Sequence, residues 1–325
     1  KASEVITCIP GIAPMKLQDY ISFFLEEETT GFLFRWFLHL CMRRPLEAAW
    51  NLGNTWTEID PDASAALKAE VPNYLPIGPL LPDAILGSSS LSSHNNGDGL
   101  ASRLPGAAPS LSAEDGGCSS WLSAHPPGSV LYIAYGSLAN VSEGELANLI
   151  EGIKDSGVPF LWAVRPDQGG APFTALCAEL NPETASPELL QHYRVVPWAP
   201  QLEALNHPSV GAFLSHCGWN SILESITAGV PILARAGGFA EQRMNAHYVA
   251  EVWKVGVRIE EGARAGEVAR LVREVMREDT EVRRRCEDVR RSAMAAAGGA
   301  GASGSSSRNY GIFVEDMRRR AAAMG

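Results

Sequence analysis

The sequence predicts an α/β protein whose larger part is a doubly wound parallel sheet. The 325 residues are enough for two domains and a large buried core. From Trp121 onward, short β-rich apolar runs alternate with amphipathic segments, which is typical of parallel strands joined by helices. We expect any ligand to bind at the carboxyl ends of these strands. The predicted strands are 130–135, 159–165, 194–197, 210–215, 230–234 and 255–259.

Helices are predicted from the spacing of the apolar residues between these strands. The first covers 142–155, where Leu146, Leu149 and Ile153 recur on one face. The later strands are separated by helices at roughly 220–228, 241–253 and 264–278. A final amphipathic helix over 308–320 carries Ile312, Phe313 and Met317 on one side.

Composition divides the chain into four parts. Residues 1–82 are interpreted as the end of a folded domain, with a helix over 26–50 and an extended exit over 73–82. Residues 83–118 are rich in Ser, Gly and Asn and predict an interdomain linker. Residues 119–307 form the second domain, which ends in a flexible Ala/Gly/Ser segment over 295–307. Residues 308–325 form the last helix, expected to pack back on the first domain.

Charge and composition argue against several classes of protein. A net charge of −10 is unfavourable for a nucleic-acid binder, which needs a basic face. The most apolar stretch, 32–42, is interrupted by Arg35 and His39, so no membrane span is predicted. The six cysteines are scattered without a CxxC pair, which argues against structural zinc and favours reduced thiols in a cytoplasmic protein.

The most informative stretch runs from Trp198 to Gln242. Within it, the strand 210–215 is followed by His-Cys-Gly-Trp-Asn-Ser and then by a helix. Asn220 or Ser221 is a suitable N-cap, and the helix start would direct N–H groups and the positive dipole end at the loop. A diphosphate is the natural occupant of such a position. Gly218 would allow close backbone approach, and His216 could donate to a phosphate oxygen.

Other residues of the same stretch suit the remaining parts of a nucleotide sugar. Glu224 lies one helical turn after Ser221 and could accept hydrogen bonds from two ribose hydroxyls. Trp198 could stack on a base, an interaction worth about 1–3 kcal/mol. Glu241 and Gln242 open the next helix and could hold sugar hydroxyls. Each residue alone is more simply read as structural, but their order and spacing together are hard to explain by packing.

The stretch resembles the signature of plant secondary-product glycosyltransferases that use UDP-sugars. The similarity includes the WAPQ and HCGWNS segments, the Glu that follows, Gly229-Val230-Pro231 and the closing Glu-Gln pair. Further similar segments cover nearly the whole chain: IPGIAPMKLQDY, YLPIGPLLP, VLYIAYGSLA, FLWAVRP and RNYGIFVEDM. This resemblance implies a GT-B fold, with the UDP-sugar held mainly by the second domain.

The resemblance also implies a role for each matching residue. Trp198 would stack on uracil, Gln201 would contact it, and Glu224 would bind the ribose. The residues implied to bind the diphosphate are His216, Asn220, Ser221 and Ser137. Those implied to bind the sugar are Trp219, Glu241 and Gln242. A closing Gln rather than His favours glucose over galactose.

The sequence departs from the family pattern in two places. Arg235-Ala236-Gly237-Gly238 stands where the family has a Trp-Pro, with one extra residue, which weakens the assignment of glucose. The family's catalytic base is a His near the start of the first domain, oriented by an Asp, and none of the seven histidines fits that role. We expect the base to precede Lys1.

Two hypotheses of different class therefore stand. The first is a UDP-dependent glycosyltransferase that transfers a sugar, with inversion, to a hydroxyl of a small lipophilic acceptor such as a flavonoid, other phenolic, terpenoid or hormone. The alternative is a non-catalytic UDP-sugar-binding fragment that lacks the base. Both expect a monomer without metal or cofactor, since the UDP-sugar is a co-substrate and no acidic pair lies near the cleft.

Overall fold

The computed structural model describes residues 3–21, 35, 39, 44–82, 85, 117–135, 141–164, 170–238, 240–298 and 304–324. The chain forms two compact units, the first comprising Lys1–Asn96 with Asp288–Gly325 and the second Gly97–Glu287. The second unit therefore ends at 287, and not at 307 as the composition suggested. Most of the predicted helix at 26–50 and of the predicted linker at 83–118 lies outside the described residues.

The first unit contains short strands and helices. Strands β1 (Val5–Ile6) and β2 (Met15–Lys16) pair antiparallel, and β3 (Asn51–Gly53) and β4 (Tyr74–Pro76) pair parallel. Helix α1 (Arg44–Glu47) precedes β3, and α2 (Pro61–Glu70) connects β3 to β4. The Asp60 side chain caps α2 by accepting from the Ala63 N–H at 3.1 Å, and Pro at the first helical position suits the fixed φ there.

The second unit is built on one six-stranded parallel sheet. Its strands are β5 (Val130–Ala134), β6 (Phe160–Ala163), β7 (Tyr193–Val196), β8 (Val210–Ser215), β9 (Ile232–Ala234) and β10 (Gly256–Arg258). They lie in the order β10-β9-β8-β5-β6-β7, which confirms the predicted parallel sheet. Each predicted strand is present, and the largest difference in a boundary is about two residues, as expected for segment ends.

Helices connect and cover these strands. They are α3 (Cys118–Ser123), α4 (Glu143–Asp155), α5 (Gly170–Glu179), α6 (Pro187–His192), α7 (Gln201–Leu205), α8 (Trp219–Ala228), α9 (Gln242–His247) and α10 (Ala265–Val275). A capping box between Ser142 and Glu145 begins α4. The helix predicted over 241–253 is instead the short α9 followed by a π-helical turn, Tyr248–Val252.

The apolar strands are explained by burial on both faces of the sheet. Along β5, Leu131 and Ile133 pack with α4 and α10, whereas Val130 and Tyr132 pack on the opposite side with α3 and α7. Successive side chains of a strand point to opposite faces, so a sheet covered on both sides needs continuous apolar runs.

The last two helices are α11 (Glu281–Ala297) and α12 (Ser305–Met324). In the first unit, Asn309 donates to the Pro76 carbonyl at 2.8 Å, and Trp50 Nε1 donates to Asp316 at 2.8 Å. The segment predicted to be flexible, 295–307, is helical at both of its ends, because α11 continues to Ala297 and α12 begins at Ser305. Within the described ranges, no helix combines the length and apolar character needed to cross a bilayer.

The topology of the sheet determines where a ligand can bind. The chain passes outward from β5 to β6 and β7, then returns to the other side of β5 to form β8, β9 and β10. Ala134, Ser215 and Ala234 end three neighbouring strands and lie side by side in register. The direction of winding thus reverses between β5 and β8, and a crevice is expected at their carboxyl ends.

We predict that Gly152→Ala destabilises the second unit. A Cβ at this position in α4 would lie 2.5 Å from the Ala265 carbonyl oxygen and 2.6 Å from Val268 Cβ, at the contact with α10. Overpacking of this kind typically costs about 1–3 kcal/mol. The change in free energy of unfolding can be measured by urea denaturation.

Gly144→Ala, in the same helix, is the matched control. An added Cβ there meets no atom within 4 Å. Because alanine favours a helix over glycine by roughly 0.5–1 kcal/mol, the control should be neutral or stabilising. Equal effects of the two substitutions would contradict the described packing of α4 on α10.

Candidate functional site

The residues singled out from the sequence follow the carboxyl ends of neighbouring strands. Trp198 and Gln201 follow β7, the segment 216–224 follows β8, and Glu241 with Gln242 follows β9. Because the strands are parallel, these loops lie along one edge of the sheet. Ser137, which follows β5, lies outside the described residues.

The loop after β8 contains a sharp turn at Cys217, whose φ is +66°. Helix α8 then begins at Trp219 with Gly218 as its N-cap, and no side chain caps it. The prediction that Asn220 or Ser221 is the N-cap is therefore wrong. The turn at Cys217 brings the chain into helical conformation earlier, so Asn220 and Ser221 lie within the first turn.

Because no side chain caps it, the N-terminus of α8 can bind an anion. The first intrahelical hydrogen bond joins the Ile222 N–H to the Gly218 carbonyl at 3.1 Å, so the N–H groups of Asn220 and Ser221 have no acceptor within the helix. The side chain of Asn220 is exposed. The helix dipole adds a positive partial charge at the same position.

His216 lies immediately before this turn. Burial lowers its pKa, and the backbone of Ala134 and the charge of Glu241 only partly oppose that effect, so the imidazole of the free protein is neutral at neutral pH. Its buried Nδ1 makes no hydrogen bond of ordinary geometry in the described structure, although Ala134 is near enough to favour the protonated ring. A Cβ on Gly218 would lie 2.6 Å from Nε2, so only glycine fits against this ring.

A cluster of three polar side chains lies between α7 and α8. The amide nitrogen of Gln201 donates to Ser221 Oγ at 3.0 Å and to Glu224 Oε2 at 2.5 Å. Burial raises the pKa of Glu224, and the hydrogen bond from Gln201 opposes that rise. A partly desolvated carboxylate with one donor in place can accept further hydrogen bonds from a diol. The Gln201 side chain is thus engaged with the residues implied to bind ribose and diphosphate.

Trp198 lies in the loop after β7, just before α7. Its side chain is 41% exposed, which is unusual for an indole. An exposed, flat aromatic ring at the edge of a ligand-binding crevice is suited to stack on a planar base.

Two of the residues implied to bind a sugar, Glu241 and Gln242, lie at the start of α9, and the third, Trp219, is the first residue of α8. Glu241 is the N-cap of α9, and its charge acts on His216. Gln242 Oε1 accepts from the Gly237 N–H at 3.1 Å. Trp219 packs against Trp253 with ring centroids 6.0 Å apart. The amide of Gln242 therefore fixes the preceding loop, and its nitrogen is the group suited to donate to a sugar hydroxyl.

The irregular segment 235–238 is held by an ion pair between the buried Arg235 and the partly exposed Glu145. Arg235 is only 8% exposed, and its guanidinium donates to Glu145 Oε1 at 3.1 Å and to the Ala236 carbonyl at 2.7 Å. Glu145 also accepts from the Gly262 N–H at 3.1 Å. Hydrogen bonds from Ser142 are the largest cause that lowers the pKa of Glu145. The departure from the family pattern thus has its own fixed geometry.

The sequence analysis missed three polar residues that support this edge. Ser215 and Asn245 both bind the backbone of Cys217, and Glu145 holds Arg235. The described residues contain no group of three His, Cys, Asp or Glu side chains that could hold a metal ion.

The histidines outside this edge have other partners. His125 interacts with the carbonyls of Trp121 and Gln191, and His192 with that of Gly157. His207 contacts Ser123 and Ser209.

Comparison with known proteins relates this arrangement to a family. The family described as UDP-glucoronosyl and UDP-glucosyl transferase matches residues 111–283. Anthocyanidin 3-O-glucoside 5-O-glucosyltransferase of Verbena hybrida is 35% identical over 278 residues, covering 82% of this chain and 54% of that protein. Anthocyanidin 3-O-galactosyltransferase 3GT1 of Rhododendron delavayi is 32% identical, covering 97% of this chain and 62% of that protein. The chain thus spans less than two thirds of these relatives.

A solved structure gives the same result. Phytolacca americana UGT2, complexed with UDP-2fluoro-glucose and pterostilbene, has a TM-score of 0.72 and 27% identity. The similarity covers 96% of this chain and 63% of that one. The α/β fold of GT-B type predicted from the sequence is confirmed by this likeness. On these grounds, the chain belongs to the UDP-glucoronosyl and UDP-glucosyl transferase family.

Proposed function

We propose that the protein is a UDP-dependent glycosyltransferase. It transfers a sugar, preferably glucose, from a UDP-sugar to a hydroxyl of a small lipophilic acceptor, with inversion at the anomeric carbon. The observation that carries this proposal is the half-buried Glu224, joined to Gln201 and Ser221 beside the uncapped start of α8. That combination suits a ribose and a diphosphate at adjacent positions.

The uridine would be held between α7 and α8. Its ribose hydroxyls would donate to Glu224, whose carboxylate is already oriented by Gln201, and the base would stack on Trp198. Hydrogen bonds that involve a charged group contribute roughly 1.5–3 kcal/mol each, and a base–aromatic stack about 1–3 kcal/mol. These interactions account for recognition of the nucleoside without a metal ion.

The diphosphate would lie at the start of α8. The N–H groups of the first turn, the side chains of Asn220 and Ser221, and the imidazole of His216 would donate to its oxygens, with Ser137 as a further donor. Burial keeps the pKa of His216 low in the free protein, so an arriving diphosphate would raise that pKa and favour proton uptake. The same groups would stabilise UDP as it leaves.

The charges at the sugar end support a neutral hexose and not a hexuronate. Arg235 is paired with Glu145, and Arg243 with Glu261 at 2.7 Å, so both cations are neutralised by carboxylates. Glu241 adds a negative charge beside Gln242 that also acts on His216. A sugar carboxylate would meet repulsion there, whereas neutral hydroxyls could donate to Glu241.

The acceptor is proposed from the chemistry of the relatives. The Verbena and Rhododendron relatives are named for anthocyanidin substrates, and the Phytolacca structure contains pterostilbene, which is also phenolic. We favour a flavonoid or another phenol over a terpenoid or hormone. The alternative of a non-catalytic UDP-sugar-binding protein rests on the sequence pattern, in which none of the seven histidines occupies the position of the family's base.

Three further properties belong to the proposal. A monomer that needs no metal fits the family resemblance. A cytoplasmic location fits the cysteines of the described residues, none of which forms a disulfide: Cys8, Cys118, Cys177, Cys217 and Cys286. Size-exclusion chromatography with light scattering would test the oligomeric state, and imaging of a fluorescent fusion would test the location.

The first prediction concerns the donor. UDP and UDP-glucose should bind in isothermal titration calorimetry, and EDTA should leave both affinities unchanged. UDP-glucuronate should bind at least ~10-fold more weakly than UDP-glucose, which corresponds to about 1.4 kcal/mol. UDP-galactose tests the preference for glucose. Failure of UDP to bind would contradict the proposed function, and equal binding of the glucuronate would contradict the charge argument.

The second prediction separates stability from binding. Glu224→Gln should weaken UDP binding by ~10-fold or more, because a charged acceptor for the ribose is lost. The apo variant should be at least as stable as the wild type at pH 7, since the buried charge is gone.

The pH dependence of stability follows from the raised pKa of Glu224. The native state holds the proton more tightly than the unfolded chain, so this group's contribution is present below its unfolded pKa and is lost as pH rises through the folded pKa. Urea denaturation at several pH values should show that loss in the wild type but not in Glu224→Gln. Glu151→Gln, an exposed substitution in the middle of α4, is the control and should change neither the affinity for UDP nor the pH dependence of stability.

The third prediction concerns turnover. On incubation with UDP-glucose and a panel of flavonoids, the 325-residue chain should release UDP and yield a glucoside of inverted anomeric configuration only if one of its own residues supplies the base that the sequence pattern does not locate. Coupled UDP detection and NMR of the product measure the two outcomes. UDP binding without turnover across the panel would favour the non-catalytic alternative.

A further inference from the structure

The turn at Cys217 carries an arrangement that the proposed roles leave unexplained. Cys217 is fully buried and has a φ of +66°, a left-handed conformation that is unfavourable for a residue with a Cβ. Such conformations cost of order 1–3 kcal/mol and persist only where the surrounding structure holds them. Something must therefore hold this turn.

Two buried side chains bind the peptide groups of Cys217. Ser215 Oγ, at the end of β8, accepts from the Cys217 N–H at 3.1 Å. The side-chain amide of Asn245, in α9, donates to the Cys217 carbonyl at 2.9 Å. Ser215 is fully buried and Asn245 is 8% exposed, so neither bond competes with water. Low local dielectric strengthens such bonds and makes their loss costly.

The position of the turn gives these bonds a functional consequence. Cys217 lies between His216 and Gly218, the N-cap of α8, so its backbone sets both the direction of the imidazole and the position of the first N–H groups of α8. A rotation at this residue would move the donors proposed for the diphosphate away from one another.

Asn245 also belongs to the helix that begins beside the proposed sugar residues. Its own N–H donates to the carbonyl of Glu241 at 2.9 Å, within the first turn of α9. The same residue thus binds the loop after β8 through its side chain and the loop after β9 through its backbone. Asn245 and Cys217 are 28 positions apart in the sequence.

We propose that Asn245 is a positioning residue which, together with Ser215, sets the diphosphate-binding turn at Cys217 and fixes its distance from the sugar end. The inference rests on the proposed function, since it assigns a cause to the geometry of that same site. Asn245 itself contacts neither nucleotide nor sugar. If Asn245 had a purely structural role, its substitution would lower the affinities for uridine and for UDP equally.

The test is Asn245→Asp, measured with uridine and with UDP. The substituted side chain has the same shape, but its ionised form cannot donate to the Cys217 carbonyl and repels it. At pH 8 the affinity for UDP should fall by ~10-fold or more relative to wild type, while that for uridine changes by less than about two-fold. NMR titration and calorimetry measure the two affinities.

Lowering the pH should restore UDP affinity in Asn245→Asp, whereas a variant that only disturbed packing would not recover. Once protonated, the carboxyl introduced by Asn245→Asp can donate again. The loss of UDP affinity relative to wild type should therefore shrink as pH falls towards about 5, because burial raises the pKa of an introduced carboxyl. Asn148→Asp is the matched control. The Asn148 amide donates to the Gly144 carbonyl at 3.1 Å on the exposed side of α4, and this substitution should leave both affinities unchanged.

Ser215→Ala provides a second, independent variant. It removes the other bond to Cys217 without adding charge and should also lower the affinity for UDP more than that for uridine. If Asn245→Asp does not fold at pH 8, Ser215→Ala decides the question. A lower affinity for UDP relative to that for uridine would support the inference. An unchanged relative affinity would overturn it.

The remaining outcomes separate the two levels of the proposal. Equal losses for uridine and UDP, or no loss in either variant, would overturn the positioning role while leaving the proposed function intact. A wild-type protein that binds neither uridine nor UDP would overturn the proposed function and, with it, this inference.

Discussion

The reversal of winding between β5 and β8 is the constraint on which the rest of the structure depends. It places the ends of neighbouring parallel strands, Ala134, Ser215 and Ala234, side by side. Loops that leave these ends must diverge, so a crevice opens between them. Burial of the sheet on both faces keeps the strands rigid, and this holds the first residues of each loop in fixed positions. A ligand can therefore meet groups from three loops without a large rearrangement.

Some polar groups at the edge of the sheet lower the stability of the ligand-free protein, and neighbouring polar side chains hold these groups in place. Burial raises the pKa of Glu224 and lowers that of His216, so each charged form is disfavoured before a ligand arrives. The strained turn at Cys217 adds to that cost. Hydrogen bonds from Gln201 and Asn245, and one accepted by Ser215, keep these groups oriented. Such an arrangement is typical of a binding site. Polar groups that keep hydrogen-bonding capacity for a ligand lower the stability of the free protein locally.

The segment 235–238 departs from the family pattern in sequence and is held by its own set of contacts. Arg235 is buried against Glu145, which also binds the backbone at Gly262 and caps the start of α4. The Glu145 carboxylate neutralises the positive charge of Arg235. A buried cation left without its partner is costly, so both residues act as a unit. The arrangement accounts for a loop that differs in sequence yet still presents Glu241 and Gln242.

The sequence by itself determined the parallel sheet, the positions of its strands and the identity of the residues along its edge, because periodicity and local motifs are properties of consecutive residues. It did not locate the N-cap of α8, since the turn at Cys217 depends on bonds to Ser215 and to the distant Asn245. It likewise missed the pairing of Arg235 with Glu145 and the engagement of Gln201 with Glu224. These contacts join residues far apart in the chain, and only the tertiary structure could decide them.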